Sequence, residues 1–230
     1  MRILFLIGAL SFTQYAHALE PKPLHLVDVS ALTSETQVTR GGANGIDIVW
    51  WIPVEFWEAN LRQNENVQEF QIAQMLRVLE NYSVLAIVQA DVSPFGAFTF
   101  FDKDAVMEGL KVQAIDADGK ARAISHTEPA DPDMRLLLDQ MRPVLAQAMG
   151  NMGENFYFFP LPAFDDEGTR VPSPYEFGKL RVTLQRGEKD LVLEIETPID
   201  ALFVPRECPN GKPAHVSWVY CPWGGEKLEQ

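Results

Sequence analysis

The stretch Leu180-Arg181-Val182-Thr183-Leu184, followed after a short polar segment by Leu191-Val192-Leu193-Glu194-Ile195, decides the fold class. Leu180, Val182 and Leu184 alternate with charged and polar residues, and Leu191, Leu193 and Ile195 repeat the period. Alternation of this kind gives a strand one apolar face. Arg186 to Asp190 is short enough for a hairpin, so two antiparallel strands are expected here. Leu110 to Ile115 shows the same pattern, with Leu110, Val112 and Ala114 set against Lys111 and Gln113. Asp118-Gly119 then offers a tight turn into Ala121–Ser125.

Towards the N-terminus the apolar residues run together. Ile48–Ile52 and Ser83–Val88 are continuous and short, which suits buried strands or short helices rather than membrane spans. Leu24–Val29, Tyr82–Val92, Ala97–Phe101 and Asn155–Phe159 read as further strands. Ala201–Val204 and His215–Tyr220 read as a last pair flanking the cysteines. Gly41 to Gly45 is expected to be a loop. Pro53 suits the first turn of a short helix bearing Phe56, Trp57 and Leu61. Val67, Phe70, Ala73, Leu76 and Leu79 predict an amphipathic helix over residues 66–81. Asp131 and Pro132 start another, Gly150 ends it, and Pro143 inside it is expected to kink it. Its stripe is Met134, Leu137, Leu138, Met141, Val144, Leu145, Ala148 and Met149. The sum is an α+β fold: a mainly antiparallel β-sandwich-like body with an N-terminal helical segment and one inserted helix.

The N-terminus carries a different signal. Arg2, the apolar run Ile3–Phe12 and Ala16-His17-Ala18 have the form of a cleavable secretory leader cut after Ala18. Residues 1–18 are therefore the expected leader and 19–204 a single α+β domain. Residues 205–230 are the expected disulfide-stapled tail, packed on that domain. The destination is a periplasm or the cell exterior, with no transmembrane insertion of the mature chain. Asp and Glu number 32 against 19 Lys and Arg, a formal charge of −13. Such a surface repels phosphate backbones, and no basic cluster stands in the sequence, so nucleic-acid binding is not expected.

The two cysteines, Cys208 and Cys221, read as a disulfide in an oxidising compartment. Cys208-Pro209-Asn210-Gly211 and Cys221-Pro222-Trp223-Gly224 are similar segments. They resemble the two knuckles of a zinc ribbon, each with glycine where the second cysteine would stand. The resemblance implies that a disulfide replaces the metal, with Cys208, Cys221 and His215 as the weaker, metal-binding alternative, since a closed zinc site takes four ligands. No other cofactor is indicated.

Trp50, Trp51 and Trp57, with Phe56, form an aromatic cluster. Core packing is the ordinary role for such residues, and contact with a protein or glycan partner is the other. His25, His126 and His215 are far apart in sequence, and no G-x-S-x-G or H-E-x-x-H pattern is present. Asp116 and Asp118 read as a hairpin turn, Asp165-Asp166-Glu167-Gly168 as a solvated turn, and Glu55 and Glu58 as neighbours on the short helix. The expected function is a non-enzymatic binding or interaction module of the cell envelope. A hydrolase whose site is assembled from distant residues is the alternative.

Overall fold

The computed structural model describes residues 19–42, 45–126 and 131–228; the expected leader and part of the expected 41–45 loop lie outside the described residues. The first elements are helix α1 (Val29–Thr36), strands β1 (Gln37–Gly42) and β2 (Gly45–Ile52), and helices α2 (Val54–Gln63) and α3 (Glu69–Leu79). Strands β3 (Tyr82–Val92) and β4 (Phe98–Phe100), helix α4 (Lys103–Gly109), and strands β5 (Lys111–Asp116) and β6 (Ala121–Ile124) follow. Helices α5 (Pro132–Met149) and α6 (Asn151–Glu154) precede strands β7 (Tyr157–Pro162), β8 (Gly178–Arg186) and β9 (Lys189–Thr197). The tail adds the short pair β10 (Arg206–Glu207) and β11 (Pro213–Ala214). The fold is α+β and its sheets are antiparallel.

Two sheets make the body. In one, β1, β2 and β3 lie side by side, and the far edge of β3 is shared by β7 at Tyr82–Ile87 and β4 at Ala90–Val92. The other runs β6-β5-β8-β9. Between them lies the main core, with Val49, Trp51, Leu85, Ile87, Phe159 and Leu161 from the first sheet. Val112, Leu180, Val182, Leu184, Leu193 and Ile195 come from the second. A second core covers the other face of the first sheet, where Trp50, Ile52, Val84, Ala86, Val88 and Phe158 meet Leu79 of α3 and Met134 and Leu138 of α5. The order is thus helices, sheet, sheet.

This layering explains the two sequence patterns. Strands β2 and β3 are buried on both faces, and such strands read as continuous apolar runs. Strands β5, β8 and β9 have one face on the core and the other open, which produces alternation. The β8–β9 turn is tighter than expected, with Arg186 opposite Lys189 and only Gly187-Glu188 between them. At that corner Arg186 reaches back across the sandwich to the buried Asp47, donating from Nε to Oδ2 at 3.1 Å and from Nη2 to Oδ1 at 2.8 Å. Nη2 also donates to the Ala90 carbonyl at 3.0 Å, and the guanidinium lies over the Phe101 ring. Gln89 Nε2 completes the set at 2.9 Å from Asp47 Oδ1.

Several expectations are corrected. Leu24–Val29 is no strand: Leu24–Leu26 is a 3-10 turn, and Asp28 caps α1 by accepting from the Ser30 and Ala31 amides. Helix α3 is shorter than residues 66–81 and turns Phe70 outward; it buries Leu79 of the expected repeat and, outside that repeat, Ile72. A strict three-residue repeat drifts around a helix with 3.6 residues per turn, so it cannot mark one face. In α5 only Met134 and Leu138 of the stripe are buried, and Leu137, Met141 and Leu145 pack partly against the second core. Helix α4, started by the Asp102 carboxylate accepting from the Ala105 amide, was not anticipated. The last strand pair is displaced as well: Asp200–Leu202 is a 3-10 turn, and Arg206–Glu207 pairs with Pro213–Ala214. Among the described residues no helix is long and apolar enough to cross a membrane.

Candidate functional site

The tail beyond Val204 is closed by the Cys208–Cys221 disulfide, with Cα atoms 5.7 Å apart. Each cysteine opens a tight turn. The Cys208 amide donates to the Lys212 carbonyl and the Gly211 amide to the Cys208 carbonyl, both at 2.8 Å. The Cys221 amide likewise donates to the Glu226 carbonyl and the Gly225 amide to the Cys221 carbonyl, both at 2.8 Å. Gly211 and Gly225 both have φ of 76°, a region that glycine enters without a Cβ penalty. Both cysteines are buried with Ala214 and Leu228, and Trp218 packs against this small core.

Polar contacts fasten the tail to the body. Val216 is buried in the main core, its amide donating to Asp200 Oδ1 at 2.6 Å, and Arg206 Nη1 donates to the Val216 carbonyl at 3.0 Å. The turn holding Asp200 is fixed in its own right. Glu35 at the end of α1 accepts from the Asp200 and Ala201 amides at 2.6 and 3.0 Å. Burial pushes the Glu35 carboxyl above its ordinary value, while those amides pull it back.

The outer side of this tail is aromatic. Tyr220 is 58% exposed and Trp223 48% exposed, with Val219 beside them also exposed. Trp223 meets Trp218 edge to face with ring centroids 5.7 Å apart, and Lys212 Nζ lies 4.9 Å from its centroid. Tyr220 and Trp223 bracket the Cys221-Pro222 step. Reading His215–Tyr220 as a strand hides this surface; aromatic residues beside a cysteine turn are the available signal.

The tryptophans singled out from sequence lie elsewhere. Trp51 is fully enclosed in the main core, its Nε1 donating to Ser83 Oγ. Trp50 is buried in the second core, edge-on to Phe56. Neither ring can touch a partner while the fold is intact, because adjacent residues of β2 face opposite sides of a sheet covered on both. Trp57 is half-buried against Phe56.

Comparison with protein-family models, curated proteins and solved structures found no match.

The remaining candidates do not converge on one another. His25 is exposed beside α1, His126 packs edge-on to Phe159, and His215 belongs to the tail. His215 Nδ1 lies 2.7 Å from Ser217 Oγ, but the Ser217 amide also donates to Nδ1 at 3.1 Å. The ring nitrogen is thus already engaged in a local turn. Glu55 is buried and gripped by Arg170 through two bonds of 2.5 and 2.7 Å, whereas Glu58 pairs with Arg62. Tyr175, near this pair, is held protonated by burial and by the charge of Glu55, so it is no base at neutral pH. Asp116 and Asp165 each accept amides of their own turns, at Asp118 and Lys120 and at Glu167 and Thr169. Cys208 and Cys221 are bonded to each other. Among the described residues no three His, Cys, Asp or Glu side chains are grouped to hold a metal.

Proposed function

We propose that this chain is an exported, non-enzymatic interaction module of the cell envelope, and that the aromatic ridge of Val219, Tyr220 and Trp223 is its contact surface. The observation that carries this reading is the exposure of two large aromatic rings on a covalently closed, well-anchored tail. Tyrosine and tryptophan are enriched where binding energy concentrates, and a rigid support lowers the ordering cost of binding. The disulfide and the A-x-A pattern at Ala16–Ala18 support export. In this reading the tail descends from a ribbon whose metal was replaced by the disulfide. The paired turns opened by Cys208 and Cys221 are the support for it.

A hydrolase is the second reading, favoured by the Ser217–His215 contact. One experiment separates the two. The purified mature chain is treated with a fluorophosphonate, and Trp223→Ala and Tyr220→Ala chains are compared with wild type for recovery of envelope partners after cross-linking. The module reading expects no adduct on Ser217, and partner recovery that falls in both variants without a change in Tm. Labelling of Ser217 would reverse the assignment.

A further inference from the structure

The chain is strongly acidic, yet the fold gathers four cationic side chains around one cleft. Lys120 and Arg122 come from the β5–β6 hairpin, Arg170 from the segment after β7, and Lys179 from the start of β8. The cleft has a volume of about 250 Å³ and is also lined by Asp116 and Glu176. The cations are far apart in sequence, which is why no basic cluster is visible there.

Their hydrogen-bonding capacity is largely unspent. An arginine carries five N–H donors and a lysine three. Arg170 uses its two terminal nitrogens on Glu55, and Arg122 uses Nη1 on Asp165. Lys179 donates once, to Glu194 Oε2 at 2.8 Å. The Lys120 ammonium has no partner among the described residues; its backbone amide donates to Asp116 Oδ1 and its carbonyl accepts from the Asp116 amide. Both turn amides bond to Asp116 Oδ1, which fixes that carboxylate at the rim of the cleft and leaves its Oδ2 free. Thr169 and Thr197 line the same space.

We propose that this cleft binds a small oxyanion, a phosphate-type dianion either free or as the terminal group of a small ester. A surplus of fixed donors is matched by an acceptor-rich ligand, and charge-assisted bonds to phosphate are the strong ones. Glu55 fixes Arg170 through both terminal nitrogens and leaves its Nε and outer N–H groups unspent. Glu55, Asp165 and Glu194 pair with Arg170, Arg122 and Lys179, and Asp116 and Glu176 line the cleft beside Lys120. The ligand is therefore held by the unspent N–H donors rather than by a net positive charge, with the Lys120 ammonium the one cation there without an ion pair among the described residues. The cleft's volume of about 250 Å³ suits a compact headgroup. This site is independent of the aromatic ridge, and either can fail without the other.

The test is a titration of the full mature chain, followed by backbone-amide NMR at constant ionic strength. The probes are inorganic phosphate, glycerol phosphate and, as control, sodium chloride. Saturable shifts confined to residues 114–122 and 169–179 are expected with phosphate and absent with chloride. Tighter binding of glycerol phosphate would identify an ester as the natural ligand, and equal or weaker binding the free ion. Lys120→Gln, an exposed substitution, is expected to weaken phosphate about tenfold while leaving Tm unchanged. Phosphate shifts no larger than those of chloride, or equal affinity in Lys120→Gln and wild type, would overturn the proposal.

Discussion

Replacing Arg186 by methionine tests the tie between the two sheets. Asp47 is only 4% exposed, and Arg186 supplies two of the three bonds that its carboxylate receives from side chains. Methionine keeps most of the aliphatic bulk but removes every donor and the cation over Phe101. Breaking a buried pair from one side costs about 3–5 kcal/mol, because the remaining charge is left uncompensated. Gln89 still donates to Asp47 and the guanidinium edge is partly open to water, so the lower end, about 3 kcal/mol, is expected. Asp47→Asn in the same chain removes the orphaned charge while keeping an acceptor for Gln89. The double variant should therefore be more stable than Arg186→Met alone by at least about 1 kcal/mol. Urea unfolding at neutral pH, analysed as a double-mutant cycle, reads these values. A loss under about 1 kcal/mol in Arg186→Met, or no rescue by Asp47→Asn, would refute the clamp.

Other outcomes follow from the same contacts. Trp51→Phe should cost more than Trp50→Phe in urea unfolding, since Trp51 loses its bond to Ser83 whereas Trp50 Nε1 is buried with no partner among the described residues. Gly109→Ala should destabilise by about 1–3 kcal/mol, because its methyl group would meet the Gln185 backbone nitrogen at 2.7 Å; an unchanged Tm would count against that close approach. Reducing the disulfide should lower stability by about 3 kcal/mol. With both cysteines buried, thiol labelling should begin only once the tail opens. Glu35 has a raised folded-state pKa, so the folded chain holds its proton more tightly than the unfolded chain does. Stability should therefore fall as pH rises above the ordinary glutamate value of 4.5, and Glu35→Gln should lack that component. Parallel pH dependence of the two chains would contradict it.

Much of the body was legible because burial writes itself into periodicity. Leu180–Leu184 and Leu191–Ile195 alternate since one face of their sheet is open, and Ile48–Ile52 does not since both faces of β2 are covered. The Asp131-Pro132 start and Gly150 end of α5 were legible for a local reason: caps act within one turn. Legibility failed where distant contacts decide. Leu24–Val29 has a strand's composition, but Asp28 caps a helix, and Phe70 lies on the wrong side of a three-residue repeat. The four cations of the cleft could not be found by scanning for a basic run. The ridge was obscured for a different reason, since aromatic residues in an aperiodic tail give no sign of which way they face.

The central claim is that Tyr220 and Trp223 form the contact surface of an exported protein. It is tested most directly by placing a photo-reactive residue at Val219, beside the ridge, and irradiating intact cells. Val192 on the open face of β9, also exposed, serves as the control position. The account predicts one discrete adduct from position 219, lost when Trp223→Ala is added, and none from position 192. No adduct from either position, or the same adducts from both, would contradict it.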